Sequence, residues 1–598
     1  MATRFIALLS QKSERLTGLV SHIAQHSDLQ LRFNSAGLAV FLDAAGASVA
    51  FPDGTGLLIG SAFTSEHPPA RLRANNSSSI LRGIGLQESL ISSIWGGYVA
   101  VAANEGAGAV WGLRDPSGTI PCFLVEIADV TILVSDIESL YEVDLLTPTI
   151  NWANVIYGLL ALENHAPETS LNGVVELLPG HGVTIGQSGR TIRSFWSPWS
   201  HTSETGQTFD AAAKTLRETI DSTVKAWASQ YSHVLLAVSG GLDSSILATA
   251  LKGSGASFSC MTMATEESEG DERVFARALA DYLKFDLYER RQDVSAVDYE
   301  RSMSAHLPRP IGFGHSQSHD VERQRLTASL KADAYFTGQG GDNIFCYMHS
   351  ATPLLDRFNA RGLGLGCWQT LNDICALTGC TYWEAIHMAA ERARRKSRSY
   401  AVPIDSYLLS ADLVATSAPS AVHPWLDSQP EDVAGKSVHV AMLVRILTSL
   451  QDISRKQAGP LSTPLLLQPV VEACLRIPTW QWIAGGRDRS VAREAYKDGL
   501  PDLVKFRRTK GGPNSFCIEA INTNRARLRE HLLGGILASE RIVDRGALER
   551  IFLADAPIDT PDHIRLSVLA EAESWLRVWT QRGKDARPKA LHHAGKNP

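Results

Sequence analysis

The apolar run Val234-Leu235-Leu236-Ala237-Val238 passes directly into Ser239-Gly240-Gly241-Leu242-Asp243-Ser244, and few segments constrain a fold more. Two adjacent glycines let a buried strand turn tightly and present successive backbone N–H groups. A helix that starts near Ser244 adds the partial positive charge of its N-terminus. The product is an anion cradle at the carboxyl end of a strand. It is not a Walker A loop, which needs G-x-x-x-x-G-K-[ST] and a lysine absent here. Ser239, Gly240, Gly241 and Ser244 are the candidate phosphate-binding residues, with Asp243 beside them as a candidate metal ligand.

Periodicity around this loop predicts the frame that holds it. Phe209, Ala213, Leu216, Ile220, Val224 and Trp227 recur at helical steps before it. After it, Phe258–Met263, Phe285–Tyr288 and Asp333–Thr337 read as strands, and Asp271–Leu283 as a helix. Strands alternating with helices predict a doubly wound parallel sheet whose ligands sit at the carboxyl ends of its strands. From about Leu354 the pattern is mainly helical. Residues 1–200 differ. Short β-branched runs such as Leu57–Gly60, Tyr98–Ala102 and Val130–Val134, separated by glycine-containing turns, predict a β-rich sandwich-like domain. The expected division is 1–200, 201–583 and a disordered tail at 584–598, since 598 residues exceed what one core serves.

Composition narrows the function classes. A net charge of −6 disfavours a nucleic-acid partner, which needs a basic face. Eight scattered cysteines contain no C-x-x-C pair, so neither zinc nor a redox dithiol is implied and reduced thiols are expected. Phe5–Leu9 is too short for a secretory segment, and no apolar run approaches the length of a membrane span. A cytoplasmic protein with no membrane partner is the expectation.

Two further segments carry chemistry. Thr337-Gly338-Gln339-Gly340-Gly341-Asp342-Asn343 follows a buried strand, so Gly338 opens a second loop at the same sheet edge and Asp342 can face Asp243. Two carboxylates from separate loops suit Mg²⁺, which takes oxygen ligands and bridges phosphates. Lys505-Phe506-Arg507-Arg508-Thr509-Lys510-Gly511-Gly512-Pro513 reads either as a solvated basic turn or as a loop whose Lys510 neutralises negative charge that develops in a reaction. Other residues favour structural readings. His315 and His319 read as part of a polar loop near the substrate cleft rather than metal ligands. Trp368 and Trp383 read as core, and Asp271-Glu272 as a helix cap with a lesser prospect of a role near the nucleotide.

The S-G-G-L-D-S loop resembles the pyrophosphate loop of the ATP-pyrophosphatases. With G-x-G-G-D and R-T-K-G-G in the same order, it resembles the synthetase domain of class B asparagine synthetases. The likeness continues through Thr463–Leu466, Val471-Glu472 and Arg476–Pro478. In the N-terminal part, Gly96-Gly97-Tyr98, Arg114–Gly118 and Leu178–His181 look like marks of that family's Ntn-type glutaminase domain. The resemblance implies ATP and Mg²⁺, with Lys510, Asp342 and Asp243 catalytic, Ser239, Gly240, Gly241, Asp243, Ser244 and Gly338 on the nucleotide, and the metal on Asp243 and Asp342.

The departures matter as much. The glutaminases of that family use an N-terminal cysteine as nucleophile. This chain reads Met1-Ala2-Thr3-Arg4, has no cysteine before Cys122, and shows no N-G-E segment of the glutamine-binding kind. Asparagine synthetases carry acidic residues where Gln339 and Asn343 stand, so any acid–base role there is lost. Gly340–Cys346, His423–Leu426 and Gly485–Ala495 leading to Lys510–Pro513 look like the lasso-peptide cyclases. That likeness implies an ATP-dependent macrolactam synthetase with an inactive glutaminase-like domain. It would adenylate an Asp or Glu side chain of a precursor peptide and join it to the peptide's N-terminal amine. A leader peptidase and a leader-binding protein are the implied partners. An asparagine synthetase or a β-lactam synthetase-type ligase is the alternative.

Overall fold

Every residue of the strand β1 (Phe5–Leu9) is buried, and the reason lies in what covers its two faces. The computed structural model describes residues 3–77, 87–104, 108–162, 164–204, 206–265, 270–394, 400–416, 422–427, 433–451, 459–507 and 511–585. Among these residues the strands form three sheets. The first comprises β1, β2 (Gln30–Ser35), β3 (Leu38–Leu42), β8 (Phe123–Ile127), β9 (Val130–Val134) and β10 (Val174–Glu176), in the order β10-β8-β9-β1-β3-β2. The second comprises β4 (Ser48–Ala50), β5 (Gly56–Thr64), β6 (Ile94–Asn104), β7 (Ala109–Arg114), β11 (His181–Gly186) and β12 (Gly189–Ser194), in the order β12-β11-β7-β6-β5-β4. All their pairings are antiparallel.

Side chains alternate along a strand, so each sheet has two faces to cover. Phe5, Ala7 and Leu9 pack with Leu57, Ile59, Val99 and Val101 of the second sheet, which makes the expected sandwich. Ile6 and Leu8 point the other way, into a core completed by Leu566, Leu569, Trp575 and Trp579 of the Asp562–Asp585 helix. The second sheet likewise lays Leu58, Tyr98 and Ala100 against Leu216, Ile220 and Trp227 of the Phe209–Ala228 helix. Burial on both faces is why these strands read as nearly continuous apolar runs rather than clean alternations.

The third sheet is parallel, in the order β15-β14-β13-β16-β17, built from β13 (Val234–Ala237), β14 (Phe258–Ala264), β15 (Leu287–Arg291), β16 (Ala334–Phe336) and β17 (Leu461–Ser462). Helix Leu242–Ser254 covers one face through Ile246, Leu247 and Leu251. Helix Ser316–Leu330 covers the other, where Leu326 meets Leu235, Met261 and Tyr335. The mixed α/β class and the doubly wound sheet are as the sequence predicts. Expected strand 285–288 is displaced to Leu287–Arg291, and β17 was not anticipated.

The sandwich and the parallel-sheet part are joined by buried polar contacts as well as shared cores. Glu176 accepts hydrogen bonds from Arg114 Nη1 at 2.8 Å, His165 Nε2 at 2.7 Å and Gln451 Nε2 at 3.0 Å, and Arg309 Nη2 lies 3.1 Å away. Burial opposes the Glu176 charge, but His165, Arg309 and Arg114 outweigh it and hold the carboxyl far below the usual range. Nearby, the Gln468 N–H donates to Ser117 Oγ at 2.9 Å, and Trp196 Nε1 donates to Glu472 at 2.9 Å.

Two expectations about aromatic residues and one about histidine need correction. Trp368 and Trp383 are not core: they are 54% and 81% exposed, on the helices Leu365–Thr378 and Tyr382–Arg394. His315 and His319 do not lie in a loop. His319 is on the Ser316–Leu330 helix and His315 caps it, and among the described residues no cluster suited to a metal forms around them. The 586–598 part of the expected tail lies outside the described residues; the Asp562–Asp585 helix runs to Asp585. No described helix is long and apolar enough to cross a membrane. All eight cysteines are unpaired.

Candidate active site

Strand β13 lies between β14 and β16, so the turn that follows it emerges at the middle of the sheet's carboxyl edge. Gly240 takes the left-handed φ of 66°, and a Cβ there would sit 2.3 Å from Phe275 Cβ and 2.8 Å from the Ala276 nitrogen. Only glycine fits. Gly241 caps the Leu242–Ser254 helix with no side-chain hydrogen bond, which leaves the first-turn N–H groups to a ligand. Ser244 Oγ donates to the Gly241 carbonyl at 3.3 Å and accepts from the Ser239 N–H at 3.4 Å, drawing the loop tight.

The second loop leaves β16 beside it. A Cβ on Gly338 would lie 2.6 Å from the Ser244 nitrogen, so backbone packs on backbone where the two loops meet. The short helix Gly341–Ile344 then begins against the Asp243 side chain and brings Asp342 to it. Asn343 is turned elsewhere: its Nδ2 donates to the Met442 carbonyl at 2.7 Å, tying this turn to the Ala434–Leu450 helix. A carboxylate could not make that bond.

Between the two aspartates stands a residue the sequence reading gave no role. Arg489 Nη1 is 3.3 Å from both oxygens of Asp243 and also bonds Asp342, while its Nε donates to Asp488 at 2.7 Å. Its guanidinium also lies over Tyr347, 4.8 Å from the ring centroid. Burial alone would weaken its charge, but Asp243, Asp342 and Asp488 together raise its pKa. Asp488 is burdened by burial too, and Arg489 with Arg493 nonetheless holds it below the usual carboxylate range. The two carboxylates therefore converge on one positive charge, which here is a guanidinium. Their oxygen donors suit Mg²⁺, but among the described residues no group of three or more ligating side chains forms, so phosphate oxygens and water would complete its shell.

Lys510 lies outside the described residues, as do Arg508 and Thr509. The ends of their loop are held by Glu272. Its Oε1 accepts from Arg507 Nη2 at 2.6 Å and from the Gly511 N–H at 3.2 Å. Glu272 precedes the Arg273–Leu283 helix without capping it through its side chain and anchors the basic loop instead. The cap reading holds for Asp271, whose carboxylate accepts from the Arg273 backbone N–H at 3.0 Å and from its Nη2 at 2.7 Å.

These elements enclose a cavity of about 520 Å³. Of the expected residues, Ser239, Gly241, Asp243, Ser244, Gly338 and Asp342 line it, whereas Gly240 supports the turn from behind. Gln339, Asn343 and His319 add neutral groups, and burial keeps the His319 pKa below its ordinary value. The site can hold a phosphorylated ligand on backbone N–H groups among four carboxylates, Asp243, Asp342, Asp488 and Glu272, and three arginines, Arg489, Arg493 and Arg507.

Residues 215–577 match the family described as asparagine synthase, more than half of the chain, and the protein belongs to that family. It is accordingly an ATP-dependent carbon–nitrogen ligase that forms AMP. A comparison with curated proteins finds no match. Among solved structures, the allosteric regulatory enzyme of purine biosynthesis is similar at 10% identity and a TM-score of 0.21, over 48% of this chain and 80% of that one. Glutamine phosphoribosylpyrophosphate amidotransferase from B. subtilis is similar at 11% identity and a TM-score of 0.20, over 56% and 90%. Likeness at that level carries no argument about function.

Proposed function

We propose that this ligase is a peptide macrolactam synthetase, closing a ring between an Asp or Glu side chain and the N-terminal amine of a ribosomal precursor peptide, as in lasso-peptide formation. The observation that carries this reading is the neutral character of Gln339 and Asn343, which flank the Gly340–Asp342 turn in the cavity lining. Gln339 and Asn343 replace acidic residues of asparagine synthetases, and Asn343 is committed to the Met442 carbonyl. Residues 1–200 are, on this reading, a glutaminase-like domain without a working thiol, and 201–583 the ATP-using unit. The first cysteine, Cys122, supports this: it is fully buried, and burial pushes its thiol up to about 12.

The substrate carboxylate oxygen attacks the α-phosphorus, the bond from that phosphorus to the bridging oxygen breaks, and pyrophosphate leaves. The peptide amine then attacks the acyl carbon, the bond to AMP breaks, and the nitrogen loses a proton. Ser239, Gly241 and Ser244 orient the phosphates, and Lys510 neutralises developing charge. Asp243 and Asp342 would hold Mg²⁺, which when bound supplies phosphate charge neutralisation. Ordering a peptide into a ring costs roughly 1–2 kcal/mol per residue, which binding must offset. Beyond the precursor peptide, a leader peptidase and leader-binding protein are the proposed partners.

Pyrophosphate exchange into ATP tests the reading. Linear peptides with N-terminal Gly and an internal Asp or Glu are expected to support exchange that Asp342→Ala abolishes. Exchange with free aspartate and ammonia, and not with peptides, would overturn it in favour of a small-molecule ligase.

A further inference from the structure

Arg507 was read in the sequence only as part of a basic turn, yet the structure buries it, with its side chain 8% exposed. Its guanidinium carbon stands 3.9 Å from the centroid of the Phe275 ring. Phe275 is the same residue that a Cβ on Gly240 would strike, so its Cβ and backbone brace the phosphate loop while its ring carries this cation. Arg507 Nη2 bonds Glu272 at 2.6 Å, and Nη1 reaches the Ser239 carbonyl at 3.4 Å. Nε is buried and, among the described residues, has no hydrogen-bond partner. Arg507 lines the same cavity as Ser239, Gly241 and Ser244.

A guanidinium presents five N–H donors in a rigid fork that matches phosphate oxygens. Buried donors are nearly always satisfied, so one left over beside a phosphate loop calls for a ligand with several acceptor oxygens. Arg489 is differently placed, since three aspartates share its charge. We propose that Arg507 is a ligand for the pyrophosphate end of ATP and for the pyrophosphate released, and that Glu272 is the positioning residue that fixes the plane of its fork. When the bond between the α-phosphorus and the bridging oxygen breaks, that oxygen departs with the β- and γ-phosphates and carries the new negative charge. Arg507 stabilises that charge. Glu272 also accepts from the Gly511 N–H, so the carboxylate that aims the fork secures the loop on the far side of Lys510.

The inference rests on the AMP-forming ligase assignment and is independent of which acceptor the acyl group meets. Calorimetric titration of the full-length protein with inorganic pyrophosphate and, separately, with AMP tests it, Mg²⁺ being present in both. Arg507→Gln is expected to weaken pyrophosphate binding by about tenfold or more, as for loss of a charge-assisted bond, and to leave AMP within about twofold. Glu272→Gln is expected to weaken pyrophosphate by a smaller factor, again with AMP unchanged. Pyrophosphate binding within about twofold of wild type in Arg507→Gln, with AMP binding intact, would overturn the proposal. Should that variant fail to fold, Arg507→Lys decides by the same two titrations, because an ammonium keeps the charge and loses the fork. Weaker pyrophosphate at unchanged AMP affinity supports the assignment, and unchanged pyrophosphate defeats it. No peptide is present, so failure of the macrolactam reading leaves both titrations as they are.

Discussion

Arg489 shows what a single side chain holds together in this site. Asp243 and Asp342 come from two loops that meet backbone to backbone, and without a cation two partly buried carboxylates there would repel. Arg489 is itself only 10% exposed along its side chain, so its loss leaves charge in low dielectric. Arg489→Gln is expected to lower unfolding free energy by about 3 kcal/mol, the usual cost of removing one partner from a buried ion pair, and to abolish AMP formation. Urea unfolding of the two proteins measures the first effect, and Arg489→Lys, which keeps a charge, should recover part of it. Equal stability of Arg489→Gln and wild type would show that the aspartates do not depend on this pairing.

At the scale of elements, the two glycine loops were legible because their chemistry is local: strand, turn and helix start fall within a dozen neighbouring residues. Arg489 was not, since it meets Asp243 across 246 residues of sequence. Arg489 precedes the short Ser490–Ala495 helix in a left-handed conformation, and the contact that ties it to Arg493 is their shared partner, Asp488. β17 escaped notice because two residues have no period, and Trp368 and Trp383 misled because apolarity reports a preference for burial and not the presence of a cover. The Asp562–Asp585 helix carries a titration that its apolar pattern hides. Glu571 is buried there, accepting from Ser302 Oγ, the Met303 N–H and both the N–H and Oγ of Ser304. Burial pushes its pKa from 4.5 up to about 7. Its folded value lies above its unfolded one, so the folded chain retains a proton that the unfolded chain releases in this window. The stabilisation is full below pH 4.5 and is lost as pH rises through about 7. Relative to Glu571→Gln, wild type should therefore lose about 3 kcal/mol of unfolding free energy between those limits. Parallel denaturation series across that range check the sign; a constant gap would refute it.

At the scale of the whole molecule, the N-terminal sandwich and the ligase part are not separable bodies. Glu176 draws Arg114 and His165 from one side and Arg309 and Gln451 from the other into a single buried cluster. Glu176→Ala leaves two buried guanidinium groups without their carboxylate and is expected to cost about 4 kcal/mol. Because the cores are shared, near-ultraviolet circular dichroism and limited proteolysis should report one coincident transition, shifted together in the variant. Two resolved transitions would mean that the cluster does not couple the halves.

The same shared core bears on how the protein is made. Ile6, Leu8, Phe41 and Ile132 leave the ribosome well before Trp575 and Trp579, which share their core. At ordinary translation speeds that interval is roughly half a minute or more. Throughout it that face of the sheet carries Leu16, Leu19, Ile23 and Leu159 but lacks the two tryptophans that complete its cover. The sequence-distant halves of this core therefore meet late, and holdase chaperones supplied during expression are expected to raise the yield of folded protein.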